Sequence, residues 1–186
     1  VDRRYIKDRI SELKGELEEI RTHRSLLRTQ RKKGGTPVVS LVGYTNAGKS
    51  TILNGITNAG VLEEDKLFAT LDTTTRIAAL PNGSKILLTD TVGFIQKLSH
   101  HLIEAFKATL EELQYADILI HVVDASDPLI SEHMKVVYDT LKSLGCEGKP
   151  VITVFNKMDK TQDVVLAEDK MCRSSLCICA KNHDDL

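Results

Sequence analysis

At residues 43–50 the sequence reads GYTNAGKS, two glycines bracketing four residues, with a lysine and a serine directly after the second. Gly43 and Gly48 permit tight turns and close backbone approach that a side chain would block. A loop of converging backbone N–H groups at a helix N-terminus binds anions, and the helix dipole reinforces it. Lys49 adds a point charge for the outer phosphates of a nucleotide, and the Ser50 hydroxyl is a ligand for Mg²⁺. Tyr44, Thr45, Asn46 and Ala47 form the loop between the glycines, and Thr51 follows in the helix. A chance glycine-rich turn has no need of a strand before it and a helix after it. Here the apolar run VVSLV (38–42) precedes and KSTILNGI (49–56) follows.

Two further clusters fit the same chemistry. In DTVG (90–93) Asp90 ends the apolar run KILLT, where its carboxylate can hold an Mg²⁺ shell. Thr91 and Val92 lead to Gly93, whose N–H can reach a γ-phosphate with no side chain in the way. Alone this pattern is weak; after a phosphate loop it carries weight. NKMD (156–159) ends the run VITVF. A carboxylate at Asp159 can accept two N–H bonds from guanine that adenine cannot offer, and a site built on that pair rejects the wrong base. Asn156 would brace the loops, the Lys157 stem would cover the base plane, and Met158 separates the two polar residues. At the position after Gly93, where a Gln would orient an attacking water, stands Phe94, which makes no hydrogen bond.

These groups need strands and helices to aim them. VVSLV (38–42), IAAL (77–80), KILLT (85–89), ILIHVVD (118–124), VITVF (151–155) and LCICA (176–180) read as buried strands. Pro81-Asn82-Gly83-Ser84 between the second and third is a hairpin signal. Ile103, Phe106, Leu110 and Leu113 mark one amphipathic helix, and Met134, Val137, Leu141 and Leu144 another. The expected fold class is α/β, a three-layer, mostly parallel mixed sheet with helices on both faces. Residues 1–33 read differently. Ile6, Ile10, Leu13, Leu17 and Ile20 recur at heptad spacing with Leu27 beyond, and Arg24 interrupts the seam. A single helix cannot bury that seam, so its partner lies elsewhere. Residues 34–37 form a linker and 38–186 one domain, shortened at its terminal helix; the whole reads as an excised piece.

Of the 186 residues 41% are hydrophobic and 27% charged, which excludes a disordered chain. No apolar run approaches the roughly 20 residues needed to cross a bilayer. Residues 1–36 carry 11 Lys or Arg against 6 Asp or Glu, net +5, leaving −6 for the remainder of a chain whose total is −1. A basic arm can meet a polyanion such as RNA, although charge alone equally describes a solvated helix face. Cys146, Cys172, Cys177 and Cys179 lack zinc-site spacing and read as buried free thiols. The adjacent His100 and His101 would point about 100° apart on a helix, which disfavours a shared metal. His121 reads as a core or edge residue.

The motifs GYTNAGKSTILN, LFATLDTTTR (67–76) and DTVGFIQKLSHHLIEAFKATLEE (90–112), behind a basic heptad helix, make the chain similar to the HflX family of GTPases. The resemblance implies a Ras-like P-loop fold and hydrolysis of GTP to GDP and phosphate, slow alone and stimulated by a partner. It implies switch I at Phe68, Ala69, Thr70, Leu71 and Asp72, with Thr70 the second Mg²⁺ ligand, although Thr73, Thr74 and Thr75 compete for that role. Cys179, Ala180 and Lys181 resemble the last guanine-contacting loop, with Cys179 in place of the usual Ser. Asn46 matches the asparagine of K⁺-activated GTPases. The implied partner is the large ribosomal subunit, through its RNA, for a monomeric cytoplasmic protein that splits or rescues ribosomes under stress. The sequence departs from the family at Lys97 and Ser99, where an acidic residue and Pro are usual. No arginine finger is evident apart from Arg76.

Two rivals share parts of this pattern. A P-loop kinase or ATPase would have GYTNAGKS but no use for NKMD. An RNA- or ribosome-binding module with negligible hydrolysis would leave Lys49, Ser50 and Asp90 without a task.

Overall fold

A computed structural model describes residues 5–13, 15–16, 35–57, 74–91, 93–94, 110–161, 169 and 171–186. The chain divides into two compact units, residues 1–36 and 37–186. In the first, residues 5–13 and 15–16 are helical (α1). Ile6, Ile10 and Leu13, the first three seam residues, are each more than 40% exposed. The rest of the heptad seam lies outside the described residues.

Among the described residues, the second unit is built on a six-stranded sheet. Its strands are β1 (Val38–Val42), β2 (Thr74–Ala79), β3 (Lys85–Asp90), β4 (Ile118–Asp124), β5 (Val151–Asn156) and β6 (Ser174–Cys177). They lie in the order β2-β3-β1-β4-β5-β6, and only the β2–β3 pair is antiparallel. That pair is the expected hairpin. The Gly83 N–H donates to the Leu80 carbonyl, Leu80 N–H to Ser84, and the Asn82 side chain accepts from Ser84 N–H. Gly83 sits at φ 82°, a conformation that suits glycine.

Strand alternation sorts the core onto two faces. Val39, Leu41, Leu88, Val122 and Val154 pack with Ile52 and Leu53 of α2 (Lys49–Thr57). Val42, Leu119 and Val151 pack with Val137 and Leu141 of α3 (Ile130–Ser143) and with Leu113. Of the expected helix through Ile103, Phe106, Leu110 and Leu113, Leu110 is helical and Glu111–Tyr115 form a 3₁₀ turn after it; Ile103 and Phe106 fall outside the described residues.

Three expectations need correction. β2 starts three residues before Ile77, because Thr74, Thr75 and Arg76 pair with Asp90, Thr89 and Leu88. β6 covers 174–177, not 176–180. Its register is set by Ile152 pairing with Ser174, and past Cys177 the chain leaves the sheet for side-chain partners. Of the four free cysteines only Cys146 is buried; Cys177 is exposed, and Cys172 and Cys179 are half-buried. The last strand is an edge, so its side chains have less to pack against.

His121 is a core residue, 1% exposed, edge-on to Tyr138. Burial pushes its imidazole down to about 4, and nearby Asp169 only partly opposes this. Asp169 accepts hydrogen bonds from Tyr138 and Thr153 and lies on the same side of the sheet.

Candidate nucleotide site

β1, β3, β4 and β5 all point their C-terminal ends the same way. Sequence order reverses at β1, whose two neighbours are β3 and β4, and in open α/β sheets such a crevice is where ligands bind. Gly43 to Gly48 leave β1 there and lead into α2. A Cβ on Gly43 would collide with the Val122 carbonyl, and one on Gly48 with the Asn156 side chain. Glycine is therefore demanded by contact at both positions. Asn46 adopts φ 60° and is exposed at the loop tip.

Lys49 is 6% exposed and donates to the carbonyls of Gly43 (3.3 Å) and Tyr44 (3.0 Å). Burial pushes its ammonium down to about 8, with Asp90 partly opposing the shift. The Ser50 hydroxyl donates to Asp90 Oδ2 at 2.6 Å, and Asp90 is fully buried. A hydroxyl and a carboxylate so placed are hard oxygen donors of the kind Mg²⁺ takes, so the residues fit that ion. Thr91, also fully buried, donates to the Leu41 carbonyl and fixes the start of the second phosphate element. Gly93 lies so close to the loop that a Cβ there would come within 2.8 Å of Thr45 Cα and 3.1 Å of Lys49 Nζ.

Phe94 is 2% exposed and sits among Val42, Leu113 and Leu119. Its N–H donates to the Gly43 carbonyl at 3.0 Å, and its carbonyl accepts from Thr45 N–H at 2.9 Å. Its side chain is therefore core, and its backbone clips the two phosphate elements together.

At the other end, Asn156 is 3% exposed and bridges two loops. Its Nδ2 donates to the Ala47 carbonyl (2.9 Å) and its Oδ1 accepts from Ala180 N–H (2.9 Å). Lys157 adopts φ 64° and pairs with Asp124 Oδ2 at 2.7 Å. Burial alone would raise the Asp124 carboxyl, but bonds from Lys157 and Ser126 hold it below its ordinary value. Met158 packs against Val123 and Phe155. Asp159 is exposed and accepts from the Cys179 thiol at 3.2 Å. Cys179 N–H donates to Asp185 Oδ2, and Lys181 is exposed. Asp124 went unnoticed in the sequence, although it ends a strand beside two other strand-end motifs. Phe68, Ala69, Thr70, Leu71, Asp72, Val92, Lys97, Ser99, His100 and His101 lie outside the described residues.

Residues 38–157 match the family described as 50S ribosome-binding GTPase. GTPase HflX of Lacrimispora saccharolytica is 56% identical over all of this chain and 44% of its own length. GTPase HflX of Caldanaerobacter subterraneus is 52% identical over 98% of this chain and 42% of its own. The chain thus spans less than half the length of these relatives. A GTP-binding protein from the archaeon Sulfolobus solfataricus, solved with GDP, superposes with a TM-score of 0.65 at 28% identity, covering 96% of this chain and 53% of that one. With the fold, the phosphate loop and these relatives in agreement, the chain belongs to the 50S ribosome-binding GTPase family, as an HflX-type member.

Proposed function

We propose that this chain is the guanine-nucleotide switch of a larger protein, binding GTP, hydrolysing it to GDP and phosphate, and acting on the large ribosomal subunit. The observation that carries the reading is the Asn156 bridge. One buried amide ties the phosphate loop at Ala47 to the base-side loop at Ala180, which spaces the two half-sites for a single nucleotide.

In this reading the loop N–H groups and Lys49 hold the β- and γ-phosphates, and Asp159 accepts from the guanine edge. Ser50, and Thr70 in switch I, would hold Mg²⁺, which would supply neutralising charge to those phosphates. Asp90 orients Ser50 from below, as their 2.6 Å bond supports. Gly93 N–H senses the γ-phosphate. Phosphoryl transfer asks mainly for positioning and charge neutralisation, which these groups supply. Water positioning is the weak point, because Phe94 is committed to the core. Turnover is therefore slow alone, with the help coming from K⁺ at Asn46 or from the ribosomal partner. Partner binding is supported by the family's description and by the basic charge of residues 1–36.

Multiple-turnover GTP hydrolysis, with and without large ribosomal subunits and in KCl against NaCl, tests the proposal. Stimulation by subunits is expected. Equal competition by ATP and GTP for a fluorescent nucleotide would overturn the guanine assignment, and equal rates in the two salts would remove K⁺.

A further inference from the structure

The turn between β4 and α3 brings a second set of side chains against the phosphate loop. Asp127 accepts the Leu129 N–H through Oδ1 at 2.8 Å, which fixes the carboxylate ahead of α3. Its Oδ2 pairs with His133 Nδ1 at 3.1 Å, and both side chains are more than two-thirds buried. His133, in the first turn of α3, lies flat on the Tyr44 ring, with centroids 3.7 Å apart and planes 10° from parallel. Ile130 and Met134 flank the small cavity at this junction.

Tyr44 is where this contact becomes functional. Its carbonyl accepts the Lys49 ammonium, and it forms a backbone bridge with Phe94. A glycine-rich loop offers few side chains by which the fold can hold it; its tip carries Asn46 at φ 60° and Gly48 at φ 99°. An outward aromatic ring is the handle available, and an oriented imidazole grips it. A loop held in its binding shape avoids an ordering cost when the nucleotide arrives.

We infer that His133 is a positioning residue for the phosphate loop: Asp127 orients the imidazole, the imidazole holds Tyr44, and the Tyr44 carbonyl sets Lys49. The inference rests on the nucleotide-site reading and extends it to a helix that contributes nothing to the nucleotide motifs.

The test uses the full 186-residue chain, a fluorescent GDP analogue and single-turnover GTP hydrolysis. An aromatic pair is worth up to about tenfold, so His133→Ala weakens GDP affinity by about that factor and slows turnover. His133→Phe keeps the flat ring and returns affinity to within about threefold of wild type. Asp127→Asn falls between them. Rescue by Phe separates positioning from bulk packing, and His133→Leu, similar in bulk but without a ring, behaves like Ala. Should the Ala variant not fold, the Phe and Leu pair gives the same comparison. Wild-type affinity in the Leu variant, or Phe no better than Leu, overturns the inference. If the wild-type chain binds no guanine nucleotide, the site reading fails first and takes the inference with it.

Discussion

At the phosphate end of the proposed site, Lys49 is 6% exposed and bonded to the loop that follows β1, and Asp90, at the end of β3, is 0% exposed. At the base end, Asp159 and Lys181 are exposed, on loops that leave β5 and the edge strand β6. The first end is held by backbone carbonyls, buried hydroxyls and contacts that leave no room for a Cβ. The second is held by a thiol, a carboxylate and one bridging amide. Buried, preset charge suits the gripping of phosphates, which every nucleotide shares. An open carboxylate suits discrimination between bases, since it can stay hydrated until the right partner arrives.

The largest expected effect breaks the phosphate end. Lys49→Met removes the charge and lowers GTP and GDP affinity at least about a hundredfold. Thermal stability holds or rises, because a buried ammonium is costly to desolvate. Nucleotide titration beside a thermal melt reads both; a mild loss would assign affinity to the base end instead. Next, Asp159→Asn breaks the base end without touching the phosphates. GTP binding falls about a hundredfold while xanthosine triphosphate gains, since the amide now presents a donor where the carboxylate accepted. Equal losses for both nucleotides would show that Asp159 merely supports its loop.

A smaller effect follows from the Lys49 ammonium, which burial brings down to about 8. Bound phosphates favour its charged form, so affinity is flat below pH 8 and falls up to about tenfold per pH unit above it. Stability of the nucleotide-free chain moves the other way. The unfolded chain keeps this proton to about pH 10.4, so folding stability rises between pH 8 and that value. Titrations and melts from pH 7 to 10 check the opposed slopes. The smallest expected change is at the base end, where Cys179→Ser replaces a weak thiol donor to Asp159 by a stronger one. GDP affinity tightens about threefold, because a hydroxyl hydrogen bond contributes of order 1 kcal/mol; weaker GDP binding would show that sulfur packing matters more.

The sequence was most legible where one local pattern decides the structure. β1 and β4 keep their expected bounds because each is a short apolar run buried on both faces. Asn-Gly forced the hairpin, and the phosphate loop follows from glycines that contact makes obligatory. Legibility failed where distant residues decide. The end of β6 depends on Ser174 meeting Ile152, and on Asp185 and Asn156 capturing the N–H groups of Cys179 and Ala180. The Lys157–Asp124 pair and the Tyr44–His133 stack join residues 33 and more positions apart, which periodicity cannot see. Phe94 looked like a gap in the catalytic apparatus. Its position is a packing requirement, visible only once Val42 and Leu119 are placed around it.

The Asn156 amide has a consequence for linkage. A single planar group that donates to Ala47 and accepts from Ala180 cannot adjust to one loop without disturbing the other. Guanosine, which engages only the base loop, should then raise the affinity of the chain for pyrophosphate. By thermodynamic reciprocity pyrophosphate should raise the affinity for guanosine by the same factor. The two halves of the nucleotide would be effectors of each other, communicating through one side chain that joins both loops.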